Sequence, residues 1–232
     1  MNLSIVIPIF NEEESILPLY EQLTSVLRKF PDIDKYELVF VDDGSTDSSA
    51  KRLDSIPDPQ LKVTRLKTRS GQSAAFHQGI QAAAFDTIAT LDGDLQNDPE
   101  NLPGMISLLK QGVDFVQGWR MPRQDPFLKR ICSILANAVH QRVLQDHFHD
   151  ISCSQRVFKK KCVKEIDFFP GAHRLLPYLV QEAGYKVVEC KVGHYPRLAG
   201  YSKYGVLNRS IQPLKDLVRL ALLKKYPRTK MP

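Results

Sequence analysis

A chain of 232 residues with 43% hydrophobic and 25% charged residues has the make-up of one globular domain, or a domain plus a tail. It is not that of a disordered, collagenous or disulfide-stapled protein. The four cysteines (Cys132, Cys153, Cys162, Cys190) show no close pairing and no secretory leader precedes Leu3, so a reducing, cytoplasmic setting is expected. No apolar run reaches the roughly 20 residues that span a bilayer. The net charge of +6 is uneven: residues 186 to 232 hold eleven Lys or Arg against Glu189 and Asp216, a local +9, which leaves about −3 for the rest. Such a basic quarter suits an anionic partner: ligand phosphates, a membrane surface or nucleic acid.

In chain order, the β-branched run Leu3 to Pro8 predicts a strand, followed by a helix from about Asn11–Glu14 to Phe30. Glu37 to Val41 predicts a second strand, broken by Asp42-Asp43-Gly44-Ser45-Thr46-Asp47, with a helix over Ser48 to Leu53. Leu61 to Leu66 reads as a strand, Ser73 to Phe85 as an Ala-rich helix, and Thr87 to Leu91 as a fourth strand. A helix from Asn101 to Lys110 and a strand from Asp114 to Gly118 complete the pattern. Strands alternating with helices predict an α/β fold with a doubly wound, mostly parallel sheet.

The fourth strand stops at Asp92-Gly93-Asp94-Leu95-Gln96. Alone, an Asp-x-Asp is more often a solvated turn. At the carboxyl end of an apolar strand, however, it sits on the edge where open α/β sheets bind ligands. Asp92 and Asp94 would share one side of an extended chain and could meet one divalent cation, with Gly93 allowing a ligand close to the backbone. Asp42 and Asp43, after the second strand, are expected on the same edge. No G-x-G-x-x-G follows a strand, and there is neither a P-loop nor a G-x-S-x-G elbow, which disfavours dinucleotide, P-loop and serine-hydrolase chemistry. His147 and His149 lack a third metal ligand and read as a polar loop, while His173 and His194 read as structural. The basic quarter lacks the interleaved aromatics of a nucleic-acid reader, so no nucleic-acid partner is expected.

Several motifs in order resemble those of family 2 glycosyltransferases of the GT-A fold, in the polyprenyl-phosphate branch that includes dolichol-phosphate mannose synthase. They are Pro8-Ile9-Phe10-Asn11-Glu12, Val41-Asp42-Asp43-Gly44-Ser45-Thr46-Asp47, Asp92-Gly93-Asp94-Leu95-Gln96, Gly118-Trp119-Arg120 and Arg197-Leu198-Ala199-Gly200-Tyr201-Ser202-Lys203-Tyr204. The resemblance implies a Rossmann-like GT-A catalytic domain over 1–205; residues 206–232 read as a basic, helical amphipathic tail in which no transmembrane helix is expected.

By that resemblance, Pro8, Phe10, Glu12, Val41 and Asp43 hold the base and ribose of a GDP- or UDP-linked sugar. Asp92 and Asp94, with Gln96, hold Mg2+ or Mn2+ against the diphosphate, and Gly93 lies in the same donor site. Arg120, Arg197 and Lys203 contact phosphate, with Arg120 and Arg197 counted as catalytic beside the two aspartates. Arg120, Arg130 and Ser133 seat the lipid phosphate. The implied reaction is inverting, metal-dependent sugar transfer to a dolichyl or undecaprenyl phosphate at the cytoplasmic face of a membrane, with a membrane-anchored protein as a further partner. An already ionised phosphate acceptor needs no strong general base. Transfer to a saccharide or protein hydroxyl would need a carboxylate base, for which Asp150 is the candidate, with a backbone-bonding role as its alternative. A degenerate nucleotide-sugar-binding protein is the non-enzyme reading.

The sequence departs from the family pattern in three places. Phe10 replaces the usual tyrosine, Cys153-Ser154-Gln155-Arg156 replaces a Gly-Phe-Arg, and C-terminal membrane helices are absent. In the tail, Leu207, Ile211, Leu214, Leu217, Val218, Ala221 and Leu222 recur at helical spacing among basic residues. That pattern suits either an interfacial helix or one packed on the domain.

Overall fold

Alternation along β1 (Asn2–Ile9) sorts its side chains onto two apolar layers: Leu3, Ile5, Ile7 and Ile9 into one, Val6 into the other. A computed structural model describes residues 1–121 and 148–196. Arg130, Ser133, His147, Arg197, Lys203 and the tail 206–232 lie outside the described residues.

After β1 come α1 (Ile16–Lys29), β2 (Lys35–Asp42), α2 (Ser49–Asp54), β3 (Leu61–Arg65), α3 (Gln72–Ala82), β4 (Thr87–Thr90), α4 (Leu102–Lys110) and β5 (Phe115–Arg120). Beyond residue 148 lie β6 (Arg156–Lys159), α5 (Ala172–Glu182) and β7 (Val187–Val192). The described strands form one seven-stranded sheet in the order β3-β2-β1-β4-β6-β5-β7. Side chains of α1, α2 and α4 fill one face, with Ile16, Leu19, Leu23, Leu53, Met105 and Ile106 in that core. Those of α3 and α5 fill the other, with Phe76, Ile80, Leu176 and Val180 against Val39, Val41 and Ile88. The sheet is thus doubly wound and mostly parallel, as the alternation predicts.

β6 is the exception. It runs antiparallel to both β4 and β5, with Thr90 opposite Arg156 and Phe115 opposite Phe158, whose rings stack at 5.0 Å. Because its direction is reversed, β6 begins, rather than ends, at the edge where the parallel strands finish. That brings residues 150–156 to the same edge as Asp92. Neither β6, β7 nor α5 is among the elements expected from the sequence.

The first helix also differs from expectation. It begins at Ile16, because Asn11 turns into the left-handed region (φ 51°) and its side chain bonds across to the β2 turn instead of capping a helix. The Asn11 side-chain oxygen accepts from the Thr46 amide at 2.7 Å, the Asn11 amide donates to Ser45 Oγ at 3.0 Å, and Glu13 accepts from the Ser48 amide at 2.8 Å. The two polar turns that close β1 and β2 are therefore one cross-bonded unit. Among the described residues, no helix is long and apolar enough to cross a membrane.

Candidate active site

At the end of β4 the chain makes a tight hook. Leu95 adopts φ 62°, unfavourable for a γ-branched side chain, and is held there by burial in the core at 6% exposure. The hook returns Asn97, whose side-chain oxygen accepts the Asp92 amide at 2.8 Å. Gly93 packs so tightly that a Cβ would stand 2.5 Å from Ile9 Cδ1 and 3.1 Å from the Pro8 carbonyl. The glycine's close neighbours are thus β1 atoms, which corrects the expectation that its smallness makes room for a ligand. The contact also sets the acidic loop directly on Pro8, with Glu12 Cγ just beyond.

The Asp92 carboxylate is bonded on both oxygens. Gln72 Nε2, in the first turn of α3, donates to Oδ1 at 2.7 Å, and Ser154 Oγ, just before β6, donates to Oδ2 at 2.6 Å. Burial, and then the adjacent Asp94 carboxylate, push the Asp92 carboxyl up to about 6. A buried carboxylate whose charge is disfavoured, with a second carboxylate beside it, is a cation-seeking arrangement. Among the described residues, no group of three or more His, Cys, Asp or Glu side chains could hold a metal. At this edge the described residues offer two neighbouring carboxylates, Asp92 and Asp94. That donor set fits Mg2+ or Mn2+, hard ions that commonly take one or two carboxylates and complete their shell with substrate phosphates and water.

Asp42 and Asp43, on the same edge, bond within their own turn and the loop beside it. Asp42 accepts the Ser45 amide at 2.9 Å and so shapes its own turn. Asp43 accepts the Ser70 amide at 2.6 Å and the Gly71 amide at 2.9 Å, fastening the loop that leads into α3. Gly44, at φ 70°, lies against this loop so closely that a Cβ would meet the Arg69 nitrogen at 2.8 Å. Arg69 places its guanidinium 4.2 Å from the centre of the Phe10 ring, a cation–π contact on the aromatic residue expected to face the base. Val41 is fully buried, so it acts as a wall beneath this surface.

Gln96 is tied to the chain after β7. Its side-chain nitrogen donates to the Tyr195 carbonyl at 3.2 Å, its carbonyl accepts the Tyr195 amide at 3.0 Å, and Tyr195 Oη donates to Asp98 at 3.2 Å. With Asn97 bridged to His194, the acidic loop and residues 194–195 form one hydrogen-bonded strip, which ends two residues before Arg197 in sequence.

Arg120, at the end of β5, makes a forked pair with Asp150: Nε to Oδ2 at 2.6 Å and a terminal nitrogen to Oδ1 at 2.8 Å. Burial opposes the Arg120 charge, and Asp150 outweighs it and holds the guanidinium protonated. Asp150 is 2% exposed, so the one mid-chain carboxylate that the sequence offers as a general base is occupied by an arginine. Its main partner is that side chain rather than neighbouring backbone. Beneath the pair, Arg156 is 1% exposed and donates to Gln117 Oε1 at 2.8 Å, and burial pushes it down to about 10. Gln117 in turn donates to the carbonyls of Asp150 and Cys153, each at 2.9 Å. This buried polar plate supports Ser154 from below.

His149 lies in a loop, as the sequence suggests, where it stacks on Trp119 at 4.0 Å and pairs with Glu189, while His173 is a hydrogen-bonded structural histidine, its Nδ1 2.6 Å from Ser73 Oγ. The structure thus gathers Pro8, Glu12, Gly93, Asp92, Asp94 and Gln96 at one edge, with Phe10 and Asp43 along the neighbouring turn and Arg120 across the β6 side. The sequence does not single out Gln72 or Arg69, and it marks Ser154 and Arg156 only as part of a departure from the family pattern. The Ser70-Gly71 step ahead of Gln72 was the available signal for an early helix start.

The chain matches the family model described as glycosyl transferase family 2 over residues 4–167. It is 36% identical to a dodecaprenyl-phosphate galacturonate synthase of Rhizobium johnstonii, across 97% of this chain and 68% of that protein. It is 32% identical to an undecaprenyl-phosphate 4-deoxy-4-formamido-L-arabinose transferase of Aeromonas hydrophila, across 93% and 66%. The chain therefore spans about two thirds of the length of these relatives. Its fold matches that of glucosyl-3-phosphoglycerate synthase from Mycobacterium tuberculosis in complex with Mn2+, uridine diphosphate and phosphoglyceric acid. There the TM-score is 0.69 at 18% identity, covering 93% of this chain and 78% of that one. The same enzyme in complex with Mg2+ and uridine diphosphate matches with a TM-score of 0.65. On the family match and the extent of these identities, this chain belongs to glycosyl transferase family 2.

Proposed function

We propose that this glycosyltransferase moves a sugar from a GDP- or UDP-linked donor to a polyprenyl phosphate, with inversion at the anomeric carbon. The observation that favours a phosphate acceptor over a hydroxyl is the locked Asp150: with both its oxygens on Arg120, it is poorly placed to take a proton. An ionised phosphate oxygen supplies its own nucleophile, and the named acceptors of the relatives are polyprenyl phosphates.

In this reading Phe10, Pro8 and Val41 form the floor for the base, Arg69 borders it, and Glu12 and Asp43 shape the ribose end. Asp92 and Asp94 would hold Mg2+ or Mn2+, with Gln96 at the rim. A bound divalent ion would neutralise the diphosphate as it leaves. Arg197 and Lys203 are assigned to donor phosphate, and Arg120, Arg130 and Ser133 to the lipid phosphate. Arginine suits both tasks because its fork matches phosphate oxygens. A catalytic unit over 1–205 and a basic tail over 206–232 that meets an anionic membrane on its cytoplasmic face, alone or with an anchored protein, would bring enzyme and lipid together. Each basic residue near such a surface contributes about 1 kcal/mol.

The test is a panel of nucleotide-sugars with Mg2+ or Mn2+, with and without undecaprenyl or dolichyl phosphate, reading released nucleoside diphosphate and extractable glycolipid. Release that depends on lipid phosphate is expected. Release that needs a saccharide or protein hydroxyl instead overturns the acceptor assignment.

A further inference from the structure

The first acid of the pair does not stand alone, and its supports come from two distant parts of the chain. Gln72 belongs to α3 and Ser154 to the segment entering β6, yet their donors close on opposite oxygens of one carboxylate at 2.7 and 2.6 Å. Asp94 accepts the Gln96 amide at 3.2 Å.

Each support is itself braced. The segment ahead of Gln72 is fastened by Asp43, which accepts the amides of Ser70 and Gly71, and Ser73 Oγ accepts the amides of Gly171 at 3.0 Å and His173 at 3.4 Å. With both amides donating to it, the Ser73 hydroxyl turns its own proton to His173 Nδ1, 2.6 Å away. The first turn of α3 is thereby pinned between the β2 turn and α5. On the other side, the Ser154 carbonyl accepts Thr90 Oγ1 at 2.6 Å, and the neighbouring Gln155 donates to the Asp98 carbonyl at 2.6 Å. Neither support relies on a solvent-exposed side chain, since Gln72 is half-buried and Ser154 is 7% exposed.

We infer that Gln72 and Ser154 are positioning residues for Asp92: they fix the carboxylate plane before any cation arrives and leave each oxygen one lone pair for a ligand. The inference rests on the reading of Asp92 and Asp94 as the cation-binding pair. Groups that orient a metal ligand in this way commonly account for 10- to 100-fold in metal affinity. A second consequence follows from the bracing. Asp43 reaches Asp92 through Ser70, Gly71 and Gln72, so the nucleoside end and the cation end of the site share one relay of hydrogen bonds.

Mn2+ binding to the purified protein, alone and with uridine diphosphate, is measured by loss of the free-ion electron paramagnetic resonance signal, with thermal unfolding followed in parallel. Wild type is compared with Asp94→Asn, Gln72→Ala, Ser154→Ala and Ser154→Thr. Weakening of Mn2+ affinity by about tenfold or more in Gln72→Ala and Ser154→Ala, with recovery in Ser154→Thr and unfolding temperatures near wild type, is expected. Gln72→Ala is on a helix and partly exposed, so it folds even if Ser154→Ala does not. Wild-type affinity in Gln72→Ala and in a folded Ser154→Ala overturns the inference while leaving the acidic pair intact. Failure of Asp94→Asn to weaken Mn2+ binding overturns the pair itself, and is read separately.

Discussion

Asp94 can be replaced without deleting the bonds that Gln72 and Ser154 make to Asp92, so the two can be tested separately. Asp94→Asn removes a charge from the pair and is expected to lower metal-dependent transfer by at least about 100-fold, measured as released nucleoside diphosphate. Phe10→Ala removes both the ring and its contact with Arg69. It is expected to raise the donor KM several-fold with little change in kcat, because a floor for the base binds ground and transition states alike. At this scale the sequence was legible where a motif names its own chemistry: Asp92, Asp94, Phe10 and Pro8 are at the edge expected. It was less legible for Gln72 and Ser154. Gln72 lies 20 positions before Asp92 and Ser154 62 positions after it, and no local pattern marks such a meeting. Asp43 was legible as a site residue, but its grip on Ser70 and Gly71 was not.

Among the elements, α3 carries the most constraint. Its Gly79 lies so near the sheet that a Cβ would stand 2.3 Å from Val6 Cγ1 and 2.8 Å from Val41 Cγ2. Alanine normally favours a helix by ~1 kcal/mol over glycine, but overpacking costs about 1–3 kcal/mol, so Gly79→Ala is expected to lower stability, seen as a lower urea midpoint. Just past the helix, Glu37 accepts from Ser4 Oγ and the Ala84 amide, each at 2.5 Å, and pairs with Lys62 at 2.6 Å. Burial works against its ionisation, but Lys62 and the other donors outweigh burial and lower its pKa. Its contribution is therefore present above the unfolded value of about 4.3 and is lost as pH falls through the lower folded value. Glu37→Gln is expected to reduce stability at neutral pH and to flatten that acid limb in unfolding curves taken at successive pH values. The pattern located β1 to β5 and the helices between them, because the helices bury one regular face and the central strands are apolar runs buried on both. It missed β6: Arg156-Val157-Phe158-Lys159 is short, opens on a buried arginine and is antiparallel, so neither composition nor alternation announces it.

For the whole molecule, the cation and the nucleotide are expected to stabilise together. Uridine or guanosine diphosphate at about 100 times its Kd adds about 2.7 kcal/mol, read as a rise in Tm, with Mn2+ present and much less with EDTA. No rise in either condition would remove the donor assignment. The reversed direction of β6 has a further consequence. Since β5 ends and residue 148 begins at one rim, the Arg120–Asp150 pair and the Trp119–His149 stack clasp the segment entering β6 to the end of β5, on the edge that also holds Asp92.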